Sequence, residues 1–321
     1  MAFVRLCSAL LGLPLLAMHA QQPSSPLTAN QIMARVAANQ DRSEAARAHF
    51  VYVQHASVAS RKGSTVRCEE ITDTRITPTP TGSEQQLLKL DGRLLHKGRY
   101  IAYNHLGAGN VSDHVTVDDD SKDSLKQVDE DDNTDLDLVE NMRSNLLGNK
   151  SEHTKDGINA GLFPLTSKSQ PEYQFKLLGR EPRNGHDTFH ITFSPKDKSD
   201  FLWKGDAWID TASFEPVVIR TAMSRNIPLA VRLMLGTNVP GLGFTIIYAP
   251  QPDAPQPESQ SKSQPDAVWF PVSFGSEFKI HVLFLFSRQI VISAENRDFE
   301  KTHVTSIILG SSAPPASTPH P

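Results

Sequence analysis

Residues 201–221 read FLWKGDAWIDTASFEPVVIRT, and the alternation of apolar and polar side chains in this stretch predicts a β-hairpin. A pleated strand places alternate side chains on opposite faces. One face would then be apolar and carry Phe201, Trp203, Ala207 and Ile209. The other face would carry Lys204, Asp206 and Asp210. We expect a turn at 210–216 and a return strand from 217 to 221.

The same pattern repeats on both sides of this hairpin. Residues 173–177 and 188–193 alternate around Asn184-Gly185, which is the most specific hairpin signal in the chain. Earlier strands are predicted at 49–57, 64–76, 84–90 and 94–104, with a turn at Asp91-Gly92. Later strands are predicted at 229–235, 242–248, 268–274, 277–287, 288–293 and 299–309. Residues 281–286, HVLFLF, are apolar on both faces and predict a central strand. Together these strands predict one large curved antiparallel sheet.

Two helices are expected beside the sheet. Thr28 and Gln31 have capping-box spacing before an apolar stripe of helical period, which predicts a helix over 29–47. A second apolar stripe predicts a helix over 136–147, ended by Gly148. This amphipathic helix could lie as a lid over the concave face of the sheet or pack on its outside.

The chain of 321 residues has a formal net charge of −4, and this charge is unevenly distributed. Residues 113–140 hold twelve Asp or Glu against two Lys, so the remainder carries +6. No long basic run is present, which argues against a nucleic-acid-binding protein. Asp129, Asp131, Asn133 and Glu140 match positions of a calcium-binding loop, but Thr134 stands where that loop needs glycine. An acidic turn that leads into a helix is the favoured interpretation.

The two ends of the chain and one insertion have compositions unlike the strands. Residues 1–20 combine Arg5, an apolar run and Ala20, which is typical of a cleaved signal peptide and predicts export to the periplasm. A linker follows at 21–27, and a single domain is expected over 28–309. Residues 249–266, rich in Pro, Gln and Ser, predict a disordered loop, and 310–321 predict a disordered tail.

No pattern of catalytic or metal-binding residues is evident. Cys68 is the single cysteine outside the predicted signal peptide, and it falls in a strand as a packing residue would. His186 and His190 lie four residues apart on one strand, about 13 Å, too far to share one metal ion. The chain lacks the local motifs of nucleophilic, zinc-dependent and phosphate-transferring enzymes. We therefore predict a protein that is not an enzyme and that uses neither a cofactor nor a metal.

Several segments resemble one known group of exported proteins. They include GDAWID at 205–210, Glu215-Pro216, DGIN at 156–159, FPLT at 163–166, GTN at 236–238, GLGF at 241–244 and WFPV at 269–272. Their order along 28–309 resembles the outer-membrane lipoprotein-sorting proteins, the LolA/LolB-like superfamily, and especially an uncharacterised bacterial branch of it. The resemblance implies an α+β, mainly β fold: an incomplete antiparallel β-barrel, or half-barrel, around a hydrophobic cavity with helices as cover. It also implies a carrier for acyl chains or lipoproteins.

The predicted function is therefore a periplasmic carrier or sensor that binds lipid acyl chains or lipoproteins, with peripheral contact to a membrane. One-sided strands leave an apolar concavity when a half-barrel does not close. The candidate lining residues of this cavity are Phe175, Leu177, Phe189, Ile191, Trp203 and Ile209. An alternative is a structural or assembly protein of the cell envelope that binds protein partners through its edge strands.

Overall fold

The described part of the chain forms an open antiparallel sheet with two α-helices on one of its faces. The computed structural model describes residues 26–79, 82–104, 130–147, 164–197, 203–224, 242–251, 267–282 and 286–302. The signal peptide, the tail at 310–321 and most of the linker and insertion lie outside these described residues, so the predictions made for them stay predictions. The same holds for the single-domain assignment of 28–309.

The first helix, α1 (Ala29–Arg47), begins at a capping box, as its sequence predicts. The backbone N–H of Gln31 donates to Thr28 Oγ1, and the N–H of Thr28 donates to Gln31 Oε1. These bonds satisfy donors that the first helical turn otherwise leaves unpaired. The second helix, α2 (Glu130–Leu147), starts six residues before its predicted beginning. Residues 130–140 are therefore helical and do not form the loop that a calcium site would need.

Eleven strands form one sheet. Their bounds are β1 (Phe50–Lys62), β2 (Thr65–Thr79), β3 (Gly82–His96), β4 (Arg99–Tyr103), β5 (Tyr173–Arg183), β6 (His186–Pro195), β7 (Trp203–Asp210), β8 (Pro216–Met223), β9 (Phe244–Gln251), β10 (Val268–Val282) and β11 (Phe286–Lys301). A three-residue 3₁₀ helix, Gln170–Glu172, precedes β5.

The order of strands in the sheet is β4-β3-β2-β1-β11-β10-β9-β8-β7-β6-β5, and every pair is antiparallel. All neighbouring strands are consecutive in the chain except β1 and β11, whose pairing joins the two halves of the chain. Among the described strands, β4 and β5 have no second neighbour, so the sheet is open. The predicted fold class, an incomplete antiparallel barrel covered by helices, is confirmed.

The predicted hairpin forms from β7 and β8, and residues 201 and 202 lie outside the described residues. Its loop is held by Asp210, whose Oδ1 accepts from the backbone N–H groups of Ala212 and Ser213 at 3.0 and 2.6 Å. The hairpin around Asn184-Gly185 also forms, and both of these residues have positive φ, 47° and 82°. Asparagine and glycine tolerate this backbone region better than other residues.

Two of the predicted boundaries are wrong. Asp91 and Gly92 lie inside β3 and do not form a turn. Gly92 pairs with Tyr103 of β4, and the Tyr103 ring occupies the space that a side chain at Gly92 would need. Residues 281–286 do not continue as a central strand. Val282 pairs with Phe286, so β10 ends and β11 begins within this run. Apolar residues that connect two strands give the same sequence pattern as a strand that is buried on both faces.

Candidate ligand-binding site

The two helices cover different parts of the same face of the sheet. α1 contacts β5 and β10, which are five places apart in the strand order, so the sheet curls around this helix. Ile32, Met33 and Val36 of α1 belong to a hydrophobic cluster with side chains of β5 to β10. α2 contacts β1, β2 and β3, and its Val139 belongs to a second cluster with side chains of β1 to β4, β10 and β11. We call this side of the sheet the helix-covered face.

A row of partly buried apolar side chains lies where the two clusters meet. Phe274 packs against both clusters, Trp203 against the first and Leu242 against the second. The ring of Phe244 lies between those of Trp203 and Phe274. Its centroid is 4.7 Å from the centroid of Trp203 and 5.5 Å from that of Phe274. We call Trp203, Leu242, Phe244 and Phe274 the seam. Phe274 links the cluster under α1 to the cluster under α2, so the seam lies between the areas that the two helices cover.

The six side chains predicted from the sequence to line a cavity all lie in or against the first cluster. Phe189, Ile191 and Ile209 are buried in it, at 5%, 0% and 0% exposure. Phe175, Leu177 and Trp203 are partly buried and pack against it. Trp203 is the member of this set that belongs to the seam. A cavity-lining role for the six stays a prediction.

Buried ion pairs attach α2 to the sheet. Asp135 of α2 accepts two hydrogen bonds from the guanidinium of Arg288 on β11, at 2.7 and 2.8 Å, and one from Ser60 Oγ at 2.5 Å. Arg143 of α2 donates to Glu70 of β2 at 2.6 Å. Charged groups taken out of water need this pairing, since an unpaired buried charge is costly.

One carboxyl group under α2 has no such pairing. Glu140 is 1% exposed, and both of its carboxyl oxygens are buried without a hydrogen-bond partner. Burial, with the nearby charge of Glu70, raises the pKa of Glu140 to about 7. Cys68 is fully buried close by, and burial raises the pKa of its thiol, which makes it the inert packing residue that the sequence predicted.

A second buried carboxyl group holds α1. Glu215, at the start of β8, accepts hydrogen bonds from Gln40 at 2.6 Å and from Ser43 at 3.4 Å. Burial raises its pKa to about 7, although the positive charge of Arg47 acts in the opposite direction. Asn39 of α1 also donates to the backbone oxygen of Ser213 in the same loop, at 2.6 Å.

Two adjoining depressions lie over β5 to β11, with volumes of about 650 and 460 Å³. They share Arg220 and Thr221 as lining residues. By strand alternation, most of their side chains point away from the helices, and these include Lys176, Lys204 and Arg220. The described depressions on this outer face therefore combine charged side chains with apolar surface.

Each histidine of β6 lies within hydrogen-bond distance of a carboxylate. His186 Nδ1 lies 3.0 Å from Asp210, and His190 Nε2 lies 2.9 Å from Asp206. His190 also stacks on Trp208, with ring centroids 4.6 Å apart. Within the described ranges, no group of three or more His, Cys, Asp or Glu side chains is arranged to hold a metal ion.

Comparison with known proteins gives structural neighbours only. No family model matches the chain, and no curated protein matches it. One neighbour is a LolA superfamily protein from Nitrosomonas europaea, 10% identical, covering 87% of this chain and 96% of that one with a TM-score of 0.31.

Two further neighbours have comparable scores. A domain assigned to outer membrane lipoprotein sorting, from Vibrio parahaemolyticus, is 13% identical and covers 87% of this chain and 95% of that one, with a TM-score of 0.36. A DUF1329 family protein from Desulfovibrio piger is 11% identical and covers 89% and 95%, with a TM-score of 0.35. At these values the role of the site has to be argued from the residues of this chain.

Several site residues were not identified from the sequence. Phe244 and Phe274 are in predicted strands. The alternation indicates that each strand has one buried face, but it does not show which strands are neighbours. The buried charges, Asp135 and Arg288 among them, looked like ordinary surface residues. The spacing of Asp135 within the apolar stripe of α2 was the only available signal, since it lies four residues before Val139 on the same helical face.

No helix in the described part of the chain combines the length and the apolar character needed to cross a membrane.

Proposed function

We propose that this protein is an exported, non-catalytic carrier or sensor that binds the acyl chain of a lipid or lipoprotein along the seam. The observation that carries the proposal is the partial burial of Trp203, Leu242 and Phe274 between two separately covered clusters. A flexible apolar chain placed there would complete their burial, and removal of apolar surface from water is favourable by about 25 cal/mol per Å².

The surroundings of the seam favour a slot between movable parts over a fixed interior pocket. α1 and α2 are attached to the sheet through different strands, so one helix can shift without breaking the contacts of the other. Apolar ligands are commonly bound between such packed elements. Export, which the first 20 residues predict, would place the protein where lipids move between membranes.

The ligand is tested first with the natural protein. The mature chain is purified gently from its own periplasm, weighed by native mass spectrometry, and extracted with organic solvent for lipid analysis. We expect a stoichiometric acyl-containing adduct that competes with a fluorescent fatty acid. A clean mass without adduct, together with no uptake of the fluorescent fatty acid, contradicts the proposal.

The seam is tested with a matched pair of variants. Phe274→Ala should weaken fatty-acid binding by about tenfold or more, because a buried aromatic side chain contributes about 1.5–3 kcal/mol. Leu178→Ala removes an apolar side chain that is 51% exposed on β5 and should leave binding unchanged. Thermal unfolding of both variants shows that they are folded. Equal affinity of Phe274→Ala and the wild type would place the ligand elsewhere.

The alternative role in envelope assembly has one supporting feature, the free edge of β5. This strand has eleven residues and no second neighbour among the described strands. However, the register shift between Leu177 and Gly179 and the charges of Lys176 and Arg180 protect such an edge against added strands. A co-purified protein in place of a lipid in the native mass spectrum would favour this second role.

A further inference from the structure

The ends of two hairpins, β1-β2 and β10-β11, form a pocket of about 310 Å³ in which positive charge predominates. Four cationic residues line it, Arg61, Lys62, Lys279 and Arg288, and no acidic residue does. The pocket shares no residue with the seam or with the larger of the two depressions on the outer face.

The sheet register brings three of the lining side chains into one row. Arg61 of β1 pairs with Gln289 of β11, and Gln289 pairs with Lys279 of β10. Paired residues on adjacent strands point to the same face, so the three side chains stand next to one another on the outer face. Gly63, with φ at +62°, turns the β1-β2 hairpin beside them.

The described part of the chain places one carboxylate, that of Glu277, beside the two cations of this row. The Nε atom of Arg61 is buried and has no hydrogen-bond partner. Within the described ranges, neither Arg61 nor Lys279 forms an ion pair. Glu277, two residues before Lys279, is bonded to the side chain of Gln289.

The fourth cation, Arg288, belongs to the other face of the sheet. Its guanidinium donates two hydrogen bonds to Asp135 of α2, on the helix-covered face. By strand alternation it points away from its neighbour Gln289 and from the row on the outer face. Arg61 and Lys279 are therefore the cations of the row that are available to a ligand.

We infer that this pocket binds a phosphate group. Guanidinium and ammonium groups side by side are the donors that phosphate oxygens prefer, and charge-assisted hydrogen bonds of this kind are the strong ones. The phosphate could belong to a free anion or to a lipid headgroup. The lipid headgroup is measured separately because the three residues between β10 and β11 in the sequence are all apolar: Leu283, Phe284 and Leu285.

The test compares two variants with the same change in net charge. Arg61→Gln/Lys279→Gln removes the two available cations of the pocket. Lys97→Gln/Arg99→Gln removes two exposed cations at the β3-β4 turn and serves as the control. Binding is measured at fixed low salt by calorimetry with inorganic phosphate, and by co-sedimentation with phosphatidylglycerol vesicles against phosphatidylcholine vesicles.

We expect the pocket variant to lose affinity by about tenfold or more, because two charge-assisted contacts are removed, while the control keeps wild-type affinity. A loss with both phosphate and phosphatidylglycerol supports a pocket for the phosphate group from either source. A loss confined to phosphatidylglycerol vesicles supports a lipid headgroup as the source. The inference is overturned if the wild type binds neither probe, or if the pocket variant binds as the control does. Neither result depends on acyl-chain binding at the seam.

Discussion

Gly92 lies inside β3, where its missing side chain leaves room for the ring of Tyr103. A Cβ atom at this position would stand 2.2 Å from two ring carbons of Tyr103. The ring carries a hydroxyl that donates to Glu70 at 3.0 Å, so it is held between the sheet and the charged groups under α2. A glycine inside a strand often marks such a close approach.

Replacement of Gly92 by alanine should therefore destabilise the protein. We expect Gly92→Ala to lower the free energy of unfolding by about 1–3 kcal/mol, the usual effect of overpacking a filled core. Urea denaturation measures this change. Gly82→Ala, in the same strand, is the control, because nothing lies within 4 Å of its Cβ position. Equal midpoints for the two variants would show that the Tyr103 ring moves aside at no cost.

The burial of Trp208 could not be predicted from the alternation of polar and apolar residues in β7. Trp208 lies on the face that carries Lys204 and Asp206, yet it is only 4% exposed. His190 stacks on it, and Arg183 lies over its ring at 4.2 Å from the centroid. These neighbours come from β5 and β6, so its burial is decided by strands that the alternation of β7 does not describe.

At the scale of elements, α2 depends on the buried pair of Asp135 with Arg288. These residues are 0% and 5% exposed and lie 153 positions apart in the chain. The pair differs from a surface ion pair such as Lys89 with Asp91, in which both side chains are more than half exposed and screened by water. Loss of one buried partner leaves the other as an unpaired charge.

Removal of Asp135 alone should cost more than removal of both partners. We expect Asp135→Asn to lower the free energy of unfolding by about 3–5 kcal/mol, because Arg288 then stays buried without a counter-charge. Asp135→Leu/Arg288→Met should cost clearly less, since the other cation beside Asp135, Arg67, has a side chain that is 24% exposed and reaches water. Asp91→Asn is the surface control and should have no measurable effect. Urea denaturation compares the variants, and equal losses for the single and double variants would contradict this explanation.

For the molecule as a whole, the two helix covers share a dependence on pH. Glu140 is a residue of α2, and Glu215 lies against α1. Burial raises the pKa of each carboxyl group from 4.5 to about 7. Below about pH 4.5 both carboxyl groups are protonated in the folded and the unfolded chain. Between pH 4.5 and 7 the unfolded chain loses these protons while the folded chain keeps them, so stability falls as pH rises.

At pH 8, we therefore expect the two buried carboxyl groups to lower the Tm of the protein. Glu140→Gln and Glu215→Gln should each raise the Tm at pH 8 and change it little at pH 4.5. Each effect should be on the order of 2 kcal/mol, since one pKa unit corresponds to about 1.4 kcal/mol. Asp137→Asn, at an exposed position of α2, is the control. Parallel Tm profiles for the wild type and the Gln variants between pH 4.5 and 8 would contradict the raised pKa values.

Features that depend on near neighbours in the chain could be predicted from the sequence. The capping box of Thr28, the Asn184-Gly185 hairpin and the apolar stripe of each helix all formed, because they depend on spacings of two to four residues. The two wrong boundaries, at Gly92 and within 281–286, arose where a glycine or an apolar run has two structural meanings that only a distant neighbour distinguishes.

The pairing of β1 with β11, the arrival of both helices on one face and the burial of Asp135 beside Arg288 emerged only in the folded chain. The first and the last are contacts between residues more than 150 positions apart, and a pattern of period two is the same whichever strand lies alongside. The seam and the phosphate pocket belong to this second group, because each is assembled from strands that the sequence leaves unordered relative to one another.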